Sequence, residues 1–195
     1  RRCLVGGNAH NGVQAIDRCT CDFIKDTDMI GNGQDGLSIG IGSTVNLVEN
    51  FTMVNNKKHG MMVRRDSIVK KVNKCSLTGN AAYGILLNCE TGTKKTTVSV
   101  SSSKLNKNSK DGLRILGKSG SATVKKCTVS GNKGSGIVVQ DKAKLSSLIN
   151  TKVTKNSKYG IREARLIELQ HALRGLCSGA ARQQDRKCRE SRTDA

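Results

Sequence analysis

The sequence of 195 residues contains no proline and no tryptophan, and aromatic residues make up only 2% of it. A globular α/β enzyme of this size normally has more aromatic residues and some prolines, so the composition argues against that class. No apolar run reaches the roughly 20 residues of a membrane-spanning helix, which excludes a transmembrane protein. Acidic residues are also scarce, because 15 Asp and Glu stand against 34 Lys and Arg, for a net charge of +19. What remains is a basic chain with 21 glycines and a core of small aliphatic residues.

An Asn-x-x-x-Gly pattern recurs along most of the chain. The pairs are Asn8/Gly12, Asn32/Gly36, Asn56/Gly60, Asn80/Gly84, Asn108/Gly112, Asn132/Gly136 and Asn156/Gly160. Successive pairs are 24 residues apart except for one interval of 28, whose four extra residues we expect in a turn around 88–95. Such self-similarity is the signature of a solenoid, in which each repeat packs against its neighbours.

The residues after each glycine alternate between apolar and polar, as Leu37 and Ile39 do around Ser38. This period of two indicates strands, and no helical period occurs before residue 163. Short strands cannot bury their apolar side alone, so we expect stacked coils that pair in parallel about 4.8 Å apart. Aliphatic residues would then form ladders inside, and the asparagine amides would bond from coil to coil. The repeated glycine is expected to supply backbone freedom where the turn enters the strand.

These units resemble the right-handed parallel β-helix proteins with pectate-lyase-like repeats. The resemblance rests on the segments SLTGNAAYGILL, TVSGNKGSGIVV and KVTKNSKYGI, and it covers about residues 3–162. It implies an all-β, single-stranded, right-handed parallel β-helix of about seven coils. Handedness is implied by the resemblance and not by the period. The fold hosts unrelated functions, so function has to be argued from sites.

The two ends of the chain differ in how they relate to the repeat. Cys3 and Val5 are already in register, so we expect the chain to begin within a coil, as a fragment or part of a longer chain. We assign residues 1–162 to the β-helix and residues 163–195 to a basic tail. Glu163 stands where the core needs an aliphatic residue, and the following segment ARLIELQHAL can form an amphipathic helix. The tail is expected to cap the last coil as a helix or to be a disordered or foreign extension.

The column before the repeated glycine contains groups that can exchange protons. Adjacent coils would place Asp35, His59 and Tyr83 about 5 Å apart in one row, as candidate catalytic residues for acid–base chemistry on a polysaccharide. The resemblance implies that uronate lyases and C5-epimerases of this fold use such groups, and Arg64 or Arg65 could neutralise a substrate carboxylate. The alternative is that the repeat itself favours polar residues there. An epimerase Asp-Pro-His motif and a pectate-lyase calcium cluster are both absent, so we favour a protein that is not an enzyme.

No cofactor or metal site is predicted. The densest acidic group is Asp22, Asp26 and Asp28, which could bind a divalent cation. No further carboxylate is near in sequence, so we interpret the three as solvated turn residues.

The eight cysteines lack the spacing of zinc ligands. Cys75 and Cys127 share a column but are not on adjacent coils, so we expect reduced thiols that pack as small apolar groups. This pattern favours an intracellular location, whereas the Asn50-Phe51-Thr52 sequon points to secretion. Localisation therefore stays open.

The basic residues provide the leading functional hypothesis, and the lysines among them fall mainly in two places, in the Asn-to-Gly turn and beside a different strand. The candidate binding residues are Lys57, Lys58, Arg64, Arg65, Lys70, Lys71, Lys74, Lys110, Lys125, Lys126, Lys133 and Lys158. Columns of lysines about 5 Å apart would repel one another, and an anionic partner would relieve that repulsion. We therefore predict a non-catalytic module whose Lys-rich lateral surface binds an anionic polysaccharide or an acidic protein, as a monomer or part of a longer chain.

Three other hypotheses are compatible with the fold. Nucleic acid is disfavoured as a partner because aromatic side chains for base stacking are scarce. A fragment of a polysaccharide lyase or C5-epimerase is the enzymatic alternative. A protein-interaction scaffold similar to the β-helix region of certain F-box proteins is the third.

Overall fold

The computed structural model describes residues 2–163, and within this range it contains twenty β-strands and no helix. The predicted helical tail therefore lies outside the described residues, apart from Glu163, which ends the last strand in register with Val139. Because this part of the chain has no helix, it has none long and apolar enough to cross a membrane.

The strands, numbered β1 to β20 along the chain, form three parallel sheets. Sheet 1 contains β1 (Cys3–Gly6), β4 (Thr27–Ile30), β7 (Thr52–Val54), β10 (Ser76–Thr78), β13 (Lys104–Asn106), β16 (Thr128–Ser130) and β19 (Lys152–Thr154). Sheet 2 contains β2 (Val13–Ala15), β5 (Leu37–Ile39), β8 (Met61–Arg64), β11 (Ile85–Asn88), β14 (Leu113–Leu116), β17 (Ile137–Val139) and β20 (Ile161–Glu163). Sheet 3 contains β3 (Thr20–Lys25), β6 (Thr44–Glu49), β9 (Ile68–Asn73), β12 (Thr96–Ser101), β15 (Gly120–Lys125) and β18 (Lys144–Ile149).

Each coil passes through sheets 1, 2 and 3 in turn, and each strand pairs with its counterpart one repeat along the chain. Leu37, for example, is in register with Met61, which is in register with Ile85. This topology is the right-handed parallel β-helix of about seven coils that the repeat and the resemblance together predicted. The four extra residues lie in the turn between β11 and β12, also as predicted.

Aliphatic ladders fill the interior. The inward positions that open the five central strands of sheet 2 are almost inaccessible to solvent, at 0% or 1% exposure: Leu37, Met61, Ile85, Leu113 and Ile137. Each such side chain contributes about 2–3 kcal/mol when it leaves water. Stability therefore grows coil by coil rather than from one central cluster.

The predicted asparagine ladder is present at the corner between sheets 1 and 2. Asn56 is fully buried, and its Nδ2 donates to Asn80 Oδ1 at 3.0 Å and to the carbonyl oxygen of Met29 at 3.1 Å. Its Oδ1 in turn accepts the side-chain and backbone N–H groups of Asn32. The ladder satisfies buried backbone groups that the turn would otherwise leave unpaired.

The prediction for the repeated glycines is wrong. None of them has a positive φ; the left-handed glycines, such as Gly31 at φ 64°, lie elsewhere in the coil. A Cβ added to Gly36 would instead lie 2.8 Å from the carbonyl oxygen of Gly60 and 3.0 Å from Nδ2 of Asn56. Glycine is needed there because adjacent coils and the asparagine ladder approach too closely for a side chain, not because the backbone is unusual.

Candidate functional site

The row before the repeated glycine lies beside the asparagine ladder. The structure brings Asp35, His59 and Tyr83 onto three consecutive coils, where the His59 and Tyr83 rings stack with centroids 5.2 Å apart. Asp35 and His59 are nevertheless 5% and 8% exposed, and Tyr83 is half-buried. Two of the three candidate catalytic groups are therefore largely withdrawn from solvent.

Side chains of this row accept hydrogen bonds from the backbone of the next coil. Asp35 Oδ1 accepts the N–H of His59 at 3.1 Å, and His59 Nδ1 accepts the N–H of Tyr83 at 3.3 Å. Two coils further along, Asp111 Oδ1 accepts the N–H of Ser135 at 2.7 Å in the same way. The row thus has a structural role, since it pairs backbone donors at the corner.

Burial sets the protonation of these groups. Burial, with smaller contributions from the charges of Lys110 and Lys58, lowers the pKa of His59 to about 4. The imidazole is therefore neutral at pH 7, and its proton is on Nε2 because Nδ1 is an acceptor. Burial raises the pKa of Asp35, against the opposing effect of its hydrogen bond from His59. A neutral, buried acceptor is poorly suited to act as an imidazolium acid, and the catalytic role of the row stays a prediction.

Sheet 2 forms a surface next to the row. Ser38 and Leu86 face outward by strand alternation, yet they are only 2% and 6% exposed, so neighbouring side chains cover them. Arg114 lies at this surface, pairs with Asp111 at 3.0 Å and has its guanidinium 5.5 Å from the Tyr83 ring centroid. The sequence analysis missed Arg114, although its position between two inward residues of β14 indicates that it points outward.

The two arginines predicted to neutralise a substrate carboxylate lie at different places in the coil. Arg64 is the last residue of β8 on sheet 2, where its side chain packs over Gly40. Its charge acts to lower the pKa of Asp35, against the larger effect of burial. Its Nε is buried without a hydrogen-bond partner. Arg65 lies in the next corner and is exposed. Only Arg64 is therefore placed beside the predicted catalytic row.

The ten predicted lysines are all exposed, and the two groups that the sequence indicated lie on two sides of the solenoid. The corner between sheets 1 and 2 carries Lys57, Lys58, Lys110, Lys133 and Lys158. Sheet 3 and its corner with sheet 1 carry Lys70, Lys71, Lys74, Lys125 and Lys126. The structure therefore does not combine them into a single lateral surface.

Aligned lysines of the predicted set are two or three coils apart, so the expected spacing of about 5 Å is wrong. Backbone hydrogen bonds align one column in the order Lys58, Ala82, Lys110, Gly134 and Lys158. A small residue thus separates each pair of lysines, and two coils correspond to about 9.6 Å. In water this doubling lowers the repulsion between two unit charges from about 0.9 to about 0.4 kcal/mol. Because lysines alternate with small residues, the column stays basic with little loss of stability from charge repulsion.

The same alternation reveals basic residues that the sequence analysis missed. Lys104 and Lys152 lie two coils apart on sheet 1, with Thr128 between them. The signal was their separation by 48 residues, which is twice the repeat.

The ion pairs that the structure describes in residues 2–163 are Arg2–Asp28, Lys25–Glu49 and Arg114–Asp111. None of the twelve predicted binding residues takes part in one of these.

The acidic group at Asp22, Asp26 and Asp28 is spread over different partners. Asp28 pairs with Arg2 at 2.7 Å, and Asp26 accepts a hydrogen bond from Asn50. Within the described residues, no three His, Cys, Asp or Glu side chains are grouped closely enough to hold a metal ion.

The six cysteines of the described range are free thiols. Cys75, Cys89 and Cys127 are buried, and burial raises the pKa of both Cys75 and Cys89 to about 11. These thiols are protonated at neutral pH and pack in the core, as expected of structural cysteines.

Comparisons with known proteins agree with this architecture. A family model described as "Right handed beta helix region" matches residues 1–164. Among solved structures, the crystal structure of a mutant of the periplasmic alginate epimerase AlgG is similar, with a TM-score of 0.66 and 16% identity. The match covers 84% of this chain but only 38% of that one, and at this identity the likeness concerns the fold alone. No curated protein matches the sequence.

Proposed function

The chain belongs to the right-handed β-helix family, and within that family we propose that it is a non-catalytic binding module for an anionic polysaccharide. The observation that carries the proposal is the lysine ladder, which we define as Lys58, Lys110 and Lys158. These three side chains are exposed, take part in none of the ion pairs described for residues 2–163, and recur on every second coil.

The spacing of the lysine ladder favours a linear polyanion over a folded acidic protein. Its three charges lie along the solenoid axis at intervals of about 9.6 Å, over about 19 Å in total. A polysaccharide with regularly placed carboxylates can meet all three at once, whereas a globular partner rarely presents acids at such a period. Each exposed contact contributes about 1 kcal/mol or less, so useful affinity requires several simultaneous contacts.

An aromatic ring adjoins the ladder. Lys110 Nζ lies 5.4 Å from the centroid of the half-buried Tyr83 ring. His59 stacks on this ring and the Arg114 guanidinium also lies over it, so the ring is covered by its neighbours and serves as a platform for two cations. The ring therefore holds Lys110 in place at the ladder, where its cation can meet a carboxylate of the polysaccharide.

The second candidate is a lyase or C5-epimerase of uronates. The observation in its favour is the single row of Asp35, His59 and Tyr83, with Arg64 and Arg114 nearby. Against it, Asp35 and His59 are buried and already accept backbone hydrogen bonds. We therefore prefer the hypothesis of a non-catalytic binding module.

The proposal is tested by titrating the full chain with a polyuronate at low and high salt. We expect binding that weakens at least about tenfold between roughly 25 and 250 mM salt, because the ladder is exposed and screened. Replacing all three ladder lysines by glutamine should remove most of this affinity. The matched control replaces Lys71, Lys74 and Lys126 by glutamine, which removes the same charge from the other side and should have a much smaller effect.

Three results would count against the proposal. No binding at low salt would refute both glycan functions, and an equal loss in the ladder and control variants would mean that net charge, not the ladder, binds the polymer. Unsaturated uronate ends detected by absorbance, or exchange of the sugar C5 proton with solvent, would favour the enzyme if His59→Ala abolished the signal. An uncharged dextran is the negative control, and an acidic protein tests the other class of partner.

A further inference from the structure

A cleft of about 620 Å³ opens at the corner between sheets 2 and 3, away from the lysine ladder. Its volume lies in the range of about 300–1,000 Å³ that is usual for small-molecule sites. The residues that line it come from four successive coils, and they include Arg18, Gly42, Arg65 and Lys94. The predicted binding residues contained only Arg65 of these four.

The insertion in the long coil makes one wall of the cleft. Asp66 holds this wall, because its Oδ1 accepts the N–H of Lys94 at 2.6 Å and its own N–H donates to Thr96 Oγ1 at 2.9 Å. The four residues that break the 24-residue period therefore pack against the preceding coil and bring Thr91 and Lys94 to the cleft. The same four-residue insertion therefore breaks the period of the repeat and forms the cleft.

The other wall is formed by corners in which two consecutive residues are left-handed. Ile41 and Gly42 have φ angles of 56° and 70°, and Arg65 and Asp66 have 49° and 63°. Ile41 is notable, since a β-branched residue rarely adopts this conformation and such strain is typical of functional sites. Gly42 leaves space, because a Cβ there would have only Arg18 Cγ within 4 Å, at 3.4 Å.

The lining is cationic but not uniformly so. Arg18, Arg65 and Lys94 line the cleft, and Asp66 is the single acid among the lining residues. None of the three cations takes part in an ion pair among those described for residues 2–163. Two guanidinium groups can bind a carboxylate through paired N–H donors, which a lysine cannot do.

The hydroxyl and carboxylate groups of the cleft limit the chemical class of the ligand further. Asp66 and the two lining threonines, Thr91 and Thr93, offer oxygen acceptors that a ligand hydroxyl can satisfy. A sulfate or phosphate dianion has few or no protons to donate and would bring its oxygens against the carboxylate of Asp66. We propose that this cleft is a second binding site, for a small hydroxycarboxylate such as a monomeric sugar acid. The proposal is independent of the lysine ladder, which lies at a different corner.

The experiment is a titration of the ¹⁵N-labelled full chain with monomeric hexuronate, followed by amide chemical shifts. We expect saturable shifts at Arg65, Lys94 and their neighbours, and much weaker effects from glucose or sodium sulfate. Arg65→Gln should weaken binding about tenfold or more, because it removes a charged bidentate donor. The ladder variant should bind hexuronate like the unmodified chain, so this site and the polysaccharide function can fail separately.

A glycine pair provides the matched control. Gly42→Asn keeps a residue that tolerates the left-handed conformation but fills the cleft, and it should abolish the shifts. Gly31→Asn makes the same change at another left-handed glycine, at φ 64° with open space around it, and should leave binding unchanged. Unfolding curves verify that both variants fold. The proposal is overturned if hexuronate shifts no cleft amide, if sulfate binds equally well, or if Gly42→Asn binds as Gly31→Asn does.

Discussion

Acidification should destabilise the protein through His59. Burial lowers the pKa of this imidazole from the ordinary 6.5 to about 4. As pH falls through 6.5, the unfolded chain takes up a proton that the folded chain still excludes, so the free energy of unfolding decreases. The loss approaches 1.4 kcal/mol per pH unit, which gives about 2 kcal/mol by pH 5 and levels off at about 3.4 kcal/mol well below pH 4.

The variant His59→Asn isolates this contribution. Asparagine already occupies the same column at position 11, where Asn11 Oδ1 accepts the N–H of Asp35 at 3.0 Å, so the variant should retain the acceptor for the N–H of Tyr83 without a titrating ring. The charged neighbours Lys58 and Lys110 remain unchanged. Asp35, whose raised pKa stabilises the folded state as pH falls through that pKa, contributes to both proteins and largely cancels in the difference.

The assay is urea unfolding followed by circular dichroism at several pH values from 7.5 to 5. The unmodified chain should lose about 2 kcal/mol more than His59→Asn over this range. If the two stability profiles run parallel, the imidazole does not titrate with a depressed pKa, and the account of a buried, neutral His59 is wrong.

Two further predictions concern the ladders that hold the coils together. Gly36→Ala should lower the free energy of unfolding by about 3 kcal/mol or more, because the new Cβ would lie 2.8 Å from a backbone oxygen. Gly31→Ala, in open space at φ 64°, should lower it by only about 1–2 kcal/mol. Equal losses in thermal unfolding would contradict the close-approach explanation. Asn80→Ala removes hydrogen bonds to Met53 and Asn108 on a fully buried side chain and should cost about 4 kcal/mol. Asn46→Ala removes a surface bond to Asp22 and should cost less than about 1 kcal/mol, so similar denaturation midpoints for the two would refute the ladder's role.

Much of the architecture was readable from the sequence because a solenoid repeats one environment. Parallel pairing stacks equivalent residues at a constant interval, so the period alone identifies which positions share a column. The inward column from Leu37 to Ile137, the asparagine ladder and the turn that holds the extra residues all followed from that rule. The row of Asp35, His59 and Tyr83 was found in the same way.

Other properties depend on distances across coils that no period reveals. The repeated glycine is required by a carbonyl oxygen and an asparagine amide of the next coil, and Asp35 and His59 are buried by neighbours that differ from coil to coil. Arg18 and Gly42 are one repeat apart and share a column, but Lys94 reaches the same cleft only because an insertion packs back onto a left-handed corner. The sequence by itself therefore determined the coil, its columns and their order along the axis. The tertiary structure alone decided the burial of the polar row and the shape of the cleft, since these depend on side-chain size and backbone conformation in adjacent coils.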